Sequence, residues 1–282
     1  MQAGAIVSEA NSTPYFMQRG ANWSTLKHLR ESALHYRYRR DNPQKATPAM
    51  ALGRVTHTLV FEPQKFADEY VIWTEGDRRG KAWQEFKDAN DGKTIFKANE
   101  IDLAIEIAEA VKRHPLVQPY LVDGIFEQPV YWTCSDTDML CKAKPDWLQP
   151  DRRVLVDMKT TQSVSARRFG AQAARLGYHC QLAHYASGVR HALGWQPAKV
   201  VIIAVESEAP YDVAVFEVDR ETLLIADMEV KELLLQLKAC RAANSWPGRY
   251  VEEQALQLPA WVYGSDDEDD ASTFDLALQE TE

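Results

Sequence analysis

No stretch of the chain reaches the roughly 18 consecutive apolar residues of a membrane-spanning helix, so no membrane partner is expected. Residues 1–14 lack the basic region and apolar core of a secretory signal, and a cytoplasmic setting is the expectation. Cysteine is scarce: Cys134, Cys141, Cys180 and Cys240, none in a C-x-x-C pair. Reduced thiols are therefore expected in place of a disulfide framework. An excess of positive charge is missing too. The formal net charge is −9, which at first argues against a nucleic-acid partner. The distribution changes that reading. Residues 264–282 hold eight acids and no base, so the rest of the chain carries 33 acids against 32 bases. A nearly neutral body can still hold a basic groove, because binding responds to local potential. The 282 residues are 45% hydrophobic and 26% charged, an ordinary globular composition with enough apolar material for a sizeable core.

Apolar periodicity divides the chain into a helical part and an α/β part. Trp23, Leu26, Leu29, Ala33 and Tyr36 recur at spacings of three and four, which predicts an amphipathic helix over 23–40 with Ser24 near its cap. Further helices are predicted over 50–61 and 99–113, with a short one starting at residues 78–83 of the otherwise polar stretch 76–97. Gly53, inside the second helix, predicts close approach of another backbone. After residue 127 strands are predicted over 127–132, 139–148 and 154–159, then helices over 163–176 and 178–193. Strands over 199–205 and 212–218 and a long helix over 220–243 complete an α/β order. The expected organisation is a flexible N-terminus over 1–21, one domain over 22–263 (helical over 22–120, α/β over 121–263), and a disordered acidic tail over 264–282.

The chemistry-bearing stretch is Lys144-Pro145-Asp146-Trp147, followed after a turn by Val156-Asp157-Met158-Lys159. A hairpin would aim Asp146 and Asp157 into one space, and Lys159 shares a strand face with Asp157 because side chains alternate with period two. Two carboxylates and an ammonium suit phosphodiester hydrolysis. Magnesium is held by one or two carboxylates plus water and phosphate oxygens, and lysine can orient the attacking water and offset charge on phosphorus. A lone Asp–Lys pair is more often a solvated turn. Asp157, however, sits inside V-L-V-D-M-K, and an acid among residues that need burial must be paired, liganded or functional.

The string P-D, a gap, then D-M-K-T-T resembles the PD-(D/E)xK nuclease motif, and in particular the exonuclease VIII (RecE) type of nuclease domain with its phage-borne relatives. Three further segments are similar to that type, in the same order: W-S-T-L-K-H-L-R-E-S-A from Trp23, A-L-G-R-V-T-H-T-L-V-F-E-P with its G-x-x-x-H spacing, and the Q-x-x-x-Y helix at Gln181 and Tyr185. The resemblance covers residues 22 to about 190. It implies a small mixed central sheet flanked by helices, with an N-terminal helical elaboration. It implies metal ligation by His57, Asp146, Asp157 and the Met158 carbonyl, with Lys159 positioning the nucleophile. Gln181 and Tyr185 would steady the scissile phosphate. The implied ion is Mg2+, with Mn2+ substituting, and the implied substrate is linear double-stranded DNA degraded 5′→3′ to leave 3′ overhangs. A ring-like homo-oligomer, trimer or tetramer, and a single-strand annealing recombinase partner are implied as well. Neutral imidazole is the ligand form, so activity is expected to rise with pH through the histidine range.

Three alternatives stay open at this point. An iron–sulfur nuclease of the same superfamily would place one cysteine before the core and three close together after it; here Cys141 lies within the core and Cys180 and Cys240 stand apart, so no cluster is expected. A non-catalytic DNA-binding module on the same fold would be expected to lose the lysine or an acid. A restriction-type endonuclease would cut closed circles. Basic groups interleaved with aromatics, Arg37, Arg39 and Arg40 and then Arg78, Arg79 and Lys81, are candidate DNA contacts, as are Arg167 and Arg168. Glu127 reads as structural, and His179 and His184 receive no role.

Overall fold

A computed structural model describes residues 18–258 together with Tyr15 and Val262. The expectations for 1–14 and for the tail over 264–282 fall outside the described residues.

The helix predicted over 23–40 is broken. Asn22, not Ser24, caps α1 (Trp23–Leu26) by accepting from the Thr25 N–H. A 3-10 turn (Lys27–Arg30) follows, and Ser32 starts α2 (Ala33–Asp41). The Ser32 hydroxyl accepts from the His35 N–H and lies 2.7 Å from His35 Nδ1, a local alternative that ends one helix and starts the next. The periodicity still holds, since Trp23, Leu26, Leu29, Ala33 and Tyr36 are all buried. α3 (Pro48–Phe61) is capped by Thr47 and starts on a proline, which lacks only an N–H that the first turn leaves unused. A short α4 (Phe66–Glu69) leads to β1 (Tyr70–Trp73), α5 (Gly80–Ala89) and β2 (Thr94–Lys97). β1 and β2 pair in parallel, a small sheet the sequence reading missed. α6 (Ala98–Arg113) then packs beside α3.

The α/β part opens with β3 (Ile125–Phe126), β4 (Val130–Thr133), β5 (Leu140–Ala143), β6 (Trp147–Gln149) and β7 (Val154–Thr161). The single strand predicted over 139–148 is thus two strands in different sheets. Pro145 lies in the break, where a residue without an N–H cannot continue a ladder. β5 pairs antiparallel with β4, and β6 pairs antiparallel with β7. α7 (Ala166–Leu176) and α8 (Tyr178–Gly188) follow, the latter running into a π-helical turn (Val189–Leu193). β8 (Lys199–Glu206), β9 (Val213–Glu217) and α9 (Arg220–Ala243) close the described order. The larger sheet runs β3-β6-β7-β8-β9, with β7 and β8 parallel and the other pairs antiparallel. This is the mixed sheet expected from the sequence.

Strand alternation gives that sheet two buried faces. Val156 and Met158 pack with Ile203 against Ile107 and Val111 of α6 and Val60 of α3. Leu155 and Ile202 face the other way, onto Phe169 of α7 and Leu182 of α8. The central strands are therefore apolar on both sides, and Asp157 is the charged exception within β7's buried stretch.

Candidate active site

β6 covers only the first half of β7. Its register, Trp147↔Val156 to Gln149↔Val154, leaves residues 157–161 with β8 on one side and no strand on the other among the described residues. Asp146, immediately before β6, fills that open edge. Its Oδ2 accepts from the Met158 N–H at 2.9 Å. In extended backbone the N–H and C=O of one residue point to the same side, so the Met158 carbonyl faces the same edge. The His57 ring hydrogen-bonds the Met158 backbone there, and its Nδ1 lies 3.4 Å from Asp146 Oδ2.

α3 carries His57 to this edge. Phe61, one turn further on, stacks on Phe126 and Trp147 with ring centroids 5.4 and 5.5 Å apart, which fixes the rotation of α3 about its axis. Gly53 behaves differently from the expectation. A Cβ built there would meet the Thr160 side chain at 3.4 Å, an ordinary contact and not a close backbone approach.

Asp157 and Lys159 project together, as predicted from their spacing. Lys159 Nζ lies 2.5 Å from Asp157 Oδ2. Asp157 is 0% exposed, and its Oδ1 has no hydrogen-bond partner among the described residues. Burial pushes its carboxyl up to about 6, against the pull of the neighbouring ammonium. Burial raises Asp146 too, with Lys159 and the Met158 N–H opposing. Burial works against the Lys159 ammonium, but the two carboxylates outweigh it and leave that group raised. Burial, aided by Lys159, drives His57 down to about 4. A value that low favours the neutral, liganding imidazole.

A cleft of about 310 Å³ opens onto Asp146, with Tyr178, Gln181 and Tyr185 of α8 along its wall. Gln181 Nε2 donates to Tyr185 Oη at 2.8 Å. Burial and the two carboxylates hold the Tyr185 phenol well above its usual range, so it keeps its proton. Lys27, Lys142 and Lys144 also line the cleft, and the sequence reading singled out none of them for binding. Lys142 Nζ is bonded to the carbonyls of Tyr15 and Gln18 at 2.7 and 2.8 Å. Lys144 is paired with Glu127, which shares the wall. Lys27 is depressed first by burial, then by Lys159 and Arg39, so it stands in a field of like charge. Its signal in sequence was only its place in the opening W-S-T-L-K helix.

Most of the basic residues predicted as DNA contacts lie elsewhere and are tied to acids. Arg37 and Arg40 hold Asp41 at 2.5 and 2.9 Å and flank the Trp246 ring. Arg78 holds Glu100 at 2.6 Å, Arg79 holds Asp77 at 2.9 Å, and Lys81 lies 3.6 Å from Glu85. Arg39 is exposed on α2, and Arg167 and Arg168 are exposed at the start of α7. His184 is buried, 3.1 Å from the Lys142 carbonyl, with its ring 4.8 Å from that of Trp132. His179 and Cys180 approach Glu229 at 3.8 and 3.3 Å, and Arg30 holds the other oxygen of that carboxylate at 2.8 Å. All four cysteines are buried free thiols.

A mixed sheet between helices, with an acid and a lysine two residues apart on its central strand and a second acid at the neighbouring strand's end, defines the PD-(D/E)xK class. The chain belongs to the family described as "PDDEXK-like domain of unknown function (DUF3799)", which matches residues 22–256. No curated protein sequence matches it. Among solved structures it is similar to a protein assigned as an exonuclease from Eubacterium rectale, at 14% identity over 86% of this chain and 90% of that one, with a TM-score of 0.56. That likeness speaks to the fold. A phage-related exonuclease from Haemophilus somnus 129PT superposes with a TM-score of 0.35 at 10% identity over 79% of this chain and 97% of that one, too loosely to bear on it.

Proposed function

We propose that the chain is a metal-dependent exodeoxyribonuclease acting on linear double-stranded DNA. The supporting observation is Asp157, a fully buried carboxylate with an unpartnered oxygen beside Lys159 and Asp146. Such a group is costly unless a ligand completes it. Carboxylate oxygens of Asp146 and Asp157 and the Met158 carbonyl are the hard donors that magnesium or manganese takes, and His57 adds a nitrogen. Bound there, the ion would polarise the phosphoryl oxygen and acidify a water.

The remaining groups divide the other tasks. Lys159 keeps its proton, so it serves as a donor that orients water and offsets charge growing on the phosphoryl oxygens. Tyr185 accepts from Gln181 and so has its own hydroxyl hydrogen free for a phosphate oxygen. Lys27, crowded by Lys159 and Arg39, gains from an anion between them. The RecE-type resemblance extends the proposal to 5′→3′ polarity, 3′ overhangs, a ring-like homo-oligomer and delivery of single strands to an annealing recombinase, and the organisation read from the sequence adds one domain over 22–263.

Linear duplexes labelled at one 5′ or one 3′ end test the reading directly. Stepwise release from 5′ ends with magnesium or manganese, none with chelator, and intact closed circles are the expected results. Digestion that ignores the chelator, or equal cutting of circles, would overturn it.

A further inference from the structure

Lys159 meets the Asp157 carboxylate and also the ring of Tyr178, whose centroid lies 5.0 Å from Nζ. Tyr178 is the first residue of α8, and its ring lines the same cleft as Asp146. That ring is held from several directions. Gly177, at φ +71, turns the chain from α7 into α8 and fixes where the side chain leaves the backbone. Gln172 of α7 donates through Nε2 to Tyr178 Oη at 3.4 Å. The same amide accepts through Oε1 from Thr161 Oγ1 at 2.9 Å. Thr161 ends β7, two residues after Lys159. A hydrogen-bonded chain therefore runs from the catalytic strand through α7 to the ring that faces that strand's lysine. Phe169, itself stacked on Phe216 with centroids 4.9 Å apart, supports the ring at 6.2 Å.

We infer that Tyr178 is a positioning residue, its π face holding the Lys159 ammonium toward Asp157 and the cleft, with Thr161 and Gln172 setting the ring's orientation. This rests on the nuclease reading and deepens it. An ammonium on a four-carbon stem has many rotamers, and the Asp157 contact alone fixes distance but not direction. An aromatic face adds an attraction that is strong where water is scarce, and Lys159 is only 17% exposed. The face also carries no lone pair to take the lysine's hydrogens, so those not given to Asp157 stay available for a water or a phosphate oxygen.

The test replaces Tyr178 by phenylalanine and then by 4-fluoro-, 3,5-difluoro- and 3,4,5-trifluorophenylalanine, a series that drains the π face with little change of shape. Phenylalanine keeps the face but cuts the Gln172 bond, so it should lower kcat on linear duplex by about 3-fold, and each added fluorine should lower log kcat further. The whole series should span roughly 10-fold, the scale of a desolvated cation–π contact. KM for DNA should stay nearly constant, which a merely structural role would not require. In a Lys159→Ala background the fluorine series should be flat. A flat series in the otherwise wild-type protein, or a fall in KM alone, would overturn this inference while leaving the nuclease reading intact. Absence of metal-dependent cleavage by the wild type would overturn both.

Discussion

Burial moves the Asp157 carboxyl up to about 6 and the His57 imidazole down to about 4. Ionised Asp157 and neutral His57 are the liganding forms, so the acid is the last of the two to become competent as pH rises. At low magnesium the rate of DNA digestion should climb with a midpoint near 6, and His57→Gln should lower the rate without moving that midpoint. A midpoint that shifts in His57→Gln would return control to the imidazole. The same carboxyl has a cost in the metal-free fold. Its folded pKa lies above the ordinary carboxylate value, so its stabilising contribution is present below about pH 4 and is lost as pH rises through about 6. Asp157→Asn should therefore flatten the loss of stability of the chelated protein between about pH 4 and 8, because a neutral amide does not titrate there. Denaturant melts of both proteins, with and without magnesium, check this, since only the wild type should gain from the ion.

At the scale of elements, Gly177 joins α7 to α8 with φ +71, and a Cβ there would lie 2.5 Å from the Trp23 ring. Gly177→Ala should cost about 2–5 kcal/mol in equilibrium unfolding, from left-handed strain plus overpacking. An alanine variant as stable as wild type would mean that α1 yields freely. Legibility followed the same physics. α9 could be read to its last residue because Asp219 caps it and apolar spacing runs unbroken to its end. β7 was plain from its apolar run around one acid, and the Asp157–Lys159 pairing followed from period two. The break between β5 and β6 is hard to read because apolar residues stand on both sides of Lys144-Pro145-Asp146, where Pro145 interrupts the ladder. β1 escaped notice because Tyr70-Val71-Ile72-Trp73 is short and its partner β2 lies beyond an intervening helix. The DNA-contact reading of Arg78 counted charge without seeing Glu100, which comes to 2.6 Å only in the fold.

At the scale of the whole molecule, His184 sits where α8, β5 and the segment before α1 meet, and Ala21 bridges Cys141 there. Burial lowers this imidazole to about 4. A depressed histidine contributes stability that is present above about 6.5 and is lost as pH falls through its folded value. Urea midpoints should drop between pH 6.5 and 4, by on the order of 3 kcal/mol from this residue. His184→Gln should flatten that slope while lowering stability at neutral pH; an unchanged slope would assign the acid sensitivity to other groups. The convergence of His57 on Asp146, at 3.4 Å, spans almost ninety residues of chain. A hairpin such as β6–β7 closes early in folding, whereas a contact of that separation must wait for a large loop to close. The donor set is therefore expected to assemble in order, the carboxylates meeting first and the imidazole arriving as α3 docks through Phe61. In stopped-flow refolding, recovery of magnesium-dependent DNA cleavage should lag behind the far-ultraviolet circular dichroism signal, and Phe61→Ala should lengthen that lag more than it slows the appearance of secondary structure.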